Sequence, residues 1–132
     1  MSLREPYILI IDDDRDMVEA LKIILEEKSY RVDVAFDGRQ GLEAIRRKKP
    51  DLIILDLLLP GEDGTAICTH LKHCPRYQDI PILVVTALAK RMEGKIFSRT
   101  QQKALEADGY LDKPINLQNL LEKVKKLLEE KG

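Results

Sequence analysis

Leu52-Ile53-Ile54-Leu55-Asp56-Leu57-Leu58-Leu59-Pro60-Gly61-Glu62-Asp63-Gly64 is the stretch that decides the fold. Its first four residues are branched and apolar without alternation, the pattern of a strand buried on both faces in a parallel sheet. Pro60, Gly61 and Gly64 then break the strand into a loop. Asp56 therefore stands at the carboxyl end of a parallel strand, where open α/β sheets place their ligands. Taken alone, it could equally be a strand-ending residue that caps the next helix.

Three other strand ends decide between these readings. Asp12-Asp13-Asp14 follows the apolar run Tyr7-Ile8-Leu9-Ile10-Ile11. Three consecutive acids repel one another and invite a hard cation such as Mg²⁺, which is held by one or two carboxylates together with phosphate oxygens. Asp13 or Asp14 is expected to cap the helix that follows, but capping does not need three acids. Thr86-Ala87 ends the run Ile80-Pro81-Ile82-Leu83-Val84-Val85, and Lys113-Pro114 follows the short run Tyr110-Leu111.

Together these residues resemble the receiver domain of bacterial two-component response regulators, over nearly the whole chain. The elements are an acidic pair after strand one, Asp-x-x-x-Pro-Gly-x-Asp-Gly after strand three, Thr-Ala after strand four and Lys-Pro after strand five. Each is weak alone; their order, each at a strand end, is specific. The resemblance implies that Asp56 is the phosphoacceptor, with Asp12 and Asp13 as the acidic pair. It implies Thr86 as the switch hydroxyl, Lys113 as the phosphoryl-binding lysine and Tyr110 as the switch aromatic. Mg²⁺ would be held by Asp13, Asp56, the backbone carbonyl of Leu58 and waters, one of them bridged by Asp12. The implied donor is a sensor histidine kinase, a phosphotransfer protein or a small acyl phosphate. The implied target is a downstream protein or output domain, and a phosphorylation-dependent dimer is compatible with it.

The expected architecture is α/β, a doubly wound parallel sheet of five strands with five helices, for which the receiver resemblance implies the flavodoxin-like order 2-1-3-4-5. The alternation of strands and helices supports it, since right-handed crossovers place helices on both faces. Arg15 to Lys28 carries Met17, Val18, Leu21, Ile24 and Leu25 at helical spacing. Arg31 to Phe36 alternates as a second strand, and Gly38 to Lys49 is a helix closed by Pro50. Thr65 to His73 is a shorter helix, Met92 to Ala107 a fourth with poor periodicity, and Leu117 to Lys131 a fifth with Asn116 as its N-cap. In this order strands one and three are neighbours, so Asp13 and Asp56 should meet at the switch point.

Composition sets outer bounds. At 132 residues the chain is expected to be one receiver domain, long enough to bury roughly 68% of its unfolded surface. A net charge of −1 argues against a nucleic-acid-binding surface. No run reaches the roughly 18 apolar residues of a membrane span and no signal-peptide core is present, so the default location is cytoplasmic. Only 19 residues follow Lys113, so no output domain is expected within this sequence, which is either a single-domain regulator or part of a longer protein. Thr86 and Lys113 are 27 positions apart, several more than is usual in the family. The surplus is expected within Lys90 to Gln102, on what would be the output face.

Competing readings are weaker. Cys68-Thr69-His70-Leu71-Lys72-His73-Cys74 gathers every Cys and His of the chain, but four zinc ligands rarely close tetrahedrally within seven residues. Arg46-Arg47-Lys48-Lys49 lies at a helix C-terminus, where positive charge complements the dipole, and is a solvated end rather than a docking patch. Aspartyl-phosphate hydrolases of the haloacid dehalogenase class also use a strand-end Asp as nucleophile. They carry a second Asp two residues later, where this chain has Leu58, so turnover of outside substrates is not expected. A flavodoxin would need a flavin-phosphate loop that Asp12-Asp13-Asp14 would repel. A pseudo-receiver, binding proteins through a dead pocket, is at odds with so complete a pocket.

Overall fold

The computed structural model describes residues 4–59, 62–87 and 106–131. The elements are β1 (Tyr7–Ile11), α1 (Arg15–Glu27), β2 (Arg31–Ala35), α2 (Gly38–Arg47), β3 (Leu52–Leu55), β4 (Leu58–Leu59), β5 (Glu62–Asp63), α3 (Gly64–Lys72), β6 (Ile82–Thr86), β7 (Gly109–Asp112) and α4 (Leu117–Lys131). Five strands form one parallel sheet in the order β2-β1-β3-β6-β7. With the small β4-β5 hairpin set aside, this is the 2-1-3-4-5 order of a doubly wound sheet.

Both faces of the sheet are covered, which explains the unbroken apolar runs. Successive residues of a strand point to opposite faces. Ile8 and Ile10 pack with Ile54 against Val18, Leu21 and Leu25 of α1 and Leu120, Val124 and Leu127 of α4. Leu9 and Ile11 pack with Ile53 and Leu55 against Ala44 and Ile45 of α2 and Ile67, Cys68 and Leu71 of α3. Edge strand β2 alternates instead, with Val32 and Val34 packed on the α1 side and Arg31 and Asp33 exposed on the other.

Element ends follow local chemistry. Asp14 caps α1, its carboxylate accepting the Met17 N–H. The α1 helix closes with Ser29 at φ 69°, while the Ser29 and Tyr30 N–H groups donate to the Glu26 and Leu25 carbonyls. That is a Schellman turn without the customary glycine. The α2 helix stops two residues short of the expected Lys49, with Lys48 already extended ahead of Pro50. Strand β6 starts after Pro81, which has no N–H to give the ladder. Asn116 accepts the Asn119 N–H at the start of α4. The expected helix over Met92 to Ala107, and the surplus in Lys90 to Gln102, lie outside the described residues apart from the helix's last two positions, 106 and 107. Four helices are seen among the described residues, and none of them is long and apolar enough to cross a membrane.

At the end of the sheet where β6 and β7 start, Lys72 is nearly buried and its ammonium meets three acceptors. These are the Asp108 carboxylate at 2.6 Å and the Ile80 and Gln78 carbonyls at 2.9 and 3.4 Å. Asp108 also accepts the Ile82 N–H at 2.8 Å, so one carboxylate ties α3, β6 and the start of β7 together. Asp108→Ala strands the ammonium and is expected to cost about 2 kcal/mol, at the low side for breaking a buried pair because Asp108 is partly exposed. Lys72→Met, which strands no charge in the interior, is expected to cost less. Urea unfolding midpoints of the two variants check the order.

Candidate phosphoacceptor site

Four strand ends supply the site, and the parallel ladder continues one step beyond the strands to hold three of its residues. The Asp12 N–H donates to the Ala35 carbonyl at 3.0 Å, Asp56 N–H to Ile11 at 3.0 Å, and Lys113 N–H to Thr86 at 3.1 Å. Their backbones are therefore set by the sheet rather than by loops, which gives the side chains a fixed origin. Asp12 and Asp56 are 2% and 4% exposed, so two carboxyl groups are sunk beside the core. Thr86, the last residue of β6, is also buried. Asp13 is exposed and forms the solvent side of the pocket.

The buried carboxylates are fully engaged. Lys113 Nζ lies 2.9 Å from Asp12 Oδ2 and 3.0 Å from Asp56 Oδ2. Asp12 Oδ1 accepts the Asp14 N–H and Asp56 Oδ1 accepts the Leu58 N–H, each at 3.0 Å. Burial raises the Asp12 carboxyl above its ordinary range, against the hydrogen bonds from Asp14 and Lys113, and the nearby Asp56 adds to the rise. Burial alone would lower the Lys113 ammonium, but hydrogen bonds to Asp12 and Asp56 outweigh it and raise the group. Lys113 is thus firmly cationic, while Asp12 ionises at a cost. Asp12, Asp13 and Asp56 each offer an oxygen within 4.8 Å of the others, and they are the one such group among the described residues. Three carboxyl groups against one ammonium leave a local surplus of acid, and the donors are all hard oxygens, which suit a hard divalent cation.

A scan against protein families matches the response regulator receiver domain over residues 8–125. The chain belongs to the response regulator receiver family. Among curated proteins, this receiver is 42% identical over 123 residues to the DNA-binding dual master transcriptional regulator RpaA of Synechocystis, covering 93% of the chain and 49% of RpaA. It is 38% identical to the response regulator MprA of Mycobacterium ulcerans, covering 97% of the chain and 51% of MprA. The chain thus spans about half the length of the curated relatives it matches. Among solved structures, a CheY-like receiver domain protein of Methanospirillum hungatei superposes with a TM-score of 0.83 at 31% identity, covering 96% of each chain. The beryllofluoride-activated receiver domain of Klebsiella pneumoniae RstA gives 0.78 at 29% identity, covering 92% of this chain and 97% of that one.

The geometry places every acid, hydroxyl, lysine and aromatic assigned to the site from the sequence. Asp12, Asp13, Asp56 and Lys113 converge, and Thr86 joins them through its carbonyl. Tyr110 pairs with Val84 across β6 and β7 and packs half-buried against the cluster formed with α2 and α3. Burial raises its phenol above the ordinary value. The ring is therefore not a surface ornament of β7.

The zinc alternative has no geometry behind it. Cys68 is buried in the core, where burial pushes its thiol up to about 11, whereas His70 and His73 are exposed. In the basic stretch, Lys49 pairs with Asp79 at 2.9 Å and Lys48 lies over the Tyr7 ring, so half of it is occupied within the domain.

One feature beside the site escaped the sequence reading, the antiparallel pairing of β4 and β5 between Asp56 and α3. Leu58 pairs with Asp63 and Leu59 with Glu62.

Proposed function

We propose that this receiver is a phosphorylation-activated switch that accepts a phosphoryl group on Asp56 from a sensor histidine kinase or a phosphotransfer protein. The observation that carries the reading is the convergence of Asp56 with Asp12, Asp13 and Lys113 at the carboxyl ends of adjacent strands. The donor set fits Mg²⁺, which Asp12, Asp13, Asp56 and the Leu58 carbonyl would hold. When bound, the ion neutralises charge on the phosphoryl group. An Asp56 oxygen attacks phosphorus, forming an O–P bond as the donor's N–P or O–P bond breaks and its electron pair leaves with the donor. Lys113, parked between Asp12 and Asp56, supplies a point charge to the phosphoryl oxygens, and the Thr86 hydroxyl supplies a hydrogen bond. The receiver thus assists its own modification and turns over no outside substrate.

The new phosphoryl group adds charge and acceptor oxygens beside Thr86. Drawing the Thr86 hydroxyl towards it frees space for Tyr110, whose ring already packs half inside. That biases a two-state surface that includes β7 and α4, which addresses a downstream protein, an attached output domain or a second receiver. Beryllofluoride with Mg²⁺ should therefore shift NMR signals of Tyr110 and of residues along Leu117 to Leu128, and Asp56→Asn should abolish the response. Shifts confined to the pocket would count against the coupling.

Metal binding has its own readout. At a hundredfold excess over its dissociation constant, Mg²⁺ should stabilise the fold by about 2.7 kcal/mol. In a domain of this size that is a rise in Tm of roughly 10 °C. Asp13→Ala should flatten the response, measured by thermal circular dichroism against NaCl of equal ionic strength.

A further inference from the structure

Gly64 is the first residue of α3, and the chain from Asp56 to Gly64 returns upon itself. The Gly64 N–H donates to the Leu57 carbonyl at 3.1 Å, and the β4-β5 hairpin closes the loop between them. A Cβ at Gly64 would lie 2.5 Å from Leu57 Cα, 2.6 Å from the Asp56 carbonyl oxygen and 2.8 Å from the Leu57 carbonyl carbon. Real side chains do not approach backbone that closely, and backbone cannot swing aside as a side-chain tip can. The constraint is one of contact and not of dihedral angle, because Gly64 is not in the left-handed region. What it presses on is the peptide that joins the phosphoacceptor to Leu57. That peptide sets the Asp56 carboxylate on one side. On the other it sets Leu58, whose N–H holds Asp56 Oδ1.

We infer that Gly64 is a positioning residue for phosphoryl transfer, holding the Asp56 carboxylate and the Leu58 carbonyl in register for the cation by letting α3 start against the Asp56–Leu57 peptide. Given Asp56 as the acceptor, as proposed above, any side chain at 64 displaces both ligands at once. Gly41 supplies the contrast. Its absent Cβ would meet atoms of the Ile11 side chain at 2.6 to 3.2 Å, a crowded place against a core side chain and not against backbone.

The test compares the unmodified receiver with Gly64→Ala, Gly64→Val and Gly41→Ala. Mg²⁺ affinity is measured calorimetrically on the unphosphorylated protein, and phosphorylation by acetyl phosphate is followed at saturating and limiting Mg²⁺. Gly64→Ala should weaken Mg²⁺ binding and lower the maximal phosphorylation rate, each at least tenfold, with Gly64→Val worse. Gly41→Ala should change neither beyond twofold, whatever it does to Tm. If Gly64→Ala folds poorly, it is assayed with Ser29→Gly, a glycine at φ 69° that adds stability at the far end of α1. A loss that merely tracks the folded fraction, with the Mg²⁺ midpoint unchanged, overturns the inference, as does a Gly64→Ala receiver with normal affinity and rate. An unmodified receiver that takes no phosphoryl group overturns instead the reading of Asp56.

Discussion

Incubated with acetyl phosphate and Mg²⁺, the receiver is expected to gain one phosphoryl group by intact mass, and Asp56→Asn is expected to gain none. The effect should be total because the substitution removes the attacking oxygen itself. An amide at that position still fills the space and can still meet Lys113 or the Leu58 N–H, so the fold survives and the chemistry does not. Asp12 is the informative comparison. It is as deeply buried as Asp56, shares the same lysine and likewise has its Oδ1 on a backbone N–H, that of Asp14. The comparison therefore separates the attacking carboxylate from a neighbour of like setting. Asp12→Asn should slow labelling and weaken its dependence on Mg²⁺ without moving the site. The linkage should be labile to hydroxylamine, as an acyl phosphate is. Label that survives Asp56→Asn, or forms equally in excess chelator, would sink the assignment.

Much of the fold was legible because the strong signals are those of a doubly covered sheet. The runs at Tyr7–Ile11 and Leu52–Leu55 have no polar face to mislead, so their extents agree with the strands residue for residue. The stripe of Leu120, Val124 and Leu127 marks α4 in the same way. Boundaries drifted where a terminus depends on geometry that residue type does not dictate. Ser29 adopts the conformation that glycine usually takes, and Lys48 leaves the helix before Pro50 requires it.

The site was legible for a related reason. Each of its residues stands within two positions of the end of an apolar run, and a parallel sheet brings such ends together on one rim. Hidden from the sequence were the contacts that tune the site. Nothing in the order of residues says that Lys113 bridges both buried acids, or that Leu58 N–H occupies one Asp56 oxygen. The hairpin of β4 and β5 is too short for periodicity to register, since two residues cannot display a repeat. The need for glycine at 64 arises from a through-space approach between α3 and the Asp56–Leu57 peptide. Likewise, Lys72 with its three acceptors is an ordinary helix-end lysine until β6 and β7 are folded beside it.

The phosphorylated form is expected to be long-lived. Hydrolysis needs a water in line behind phosphorus, on the side opposite Asp56. In receivers two positions border that approach, two residues after the phosphoacceptor and two after the switch hydroxyl. Here they are Leu58 and Leu88. Leu58 stands half-buried in β4, with its N–H committed to Asp56 Oδ1 and an apolar side chain that cannot orient a water. Leu88 lies outside the described residues, but its side chain has the same incapacity. Ala87 is small, so entry of a larger phosphodonor is not obstructed to the same degree, and uptake and loss should be separable. Replacing Leu58 with Asn and Leu88 with Glu should speed loss of phosphate at least tenfold, about 1.4 kcal/mol of barrier, while the rate of uptake from acetyl phosphate changes less. The decisive measurement is decay of the phosphorylated species after donor removal, followed by intact mass or acid-urea separation. Should the unmodified receiver already lose its phosphate within seconds, or the double substitution leave the decay unchanged, water exclusion by these leucines is not what sets the lifetime.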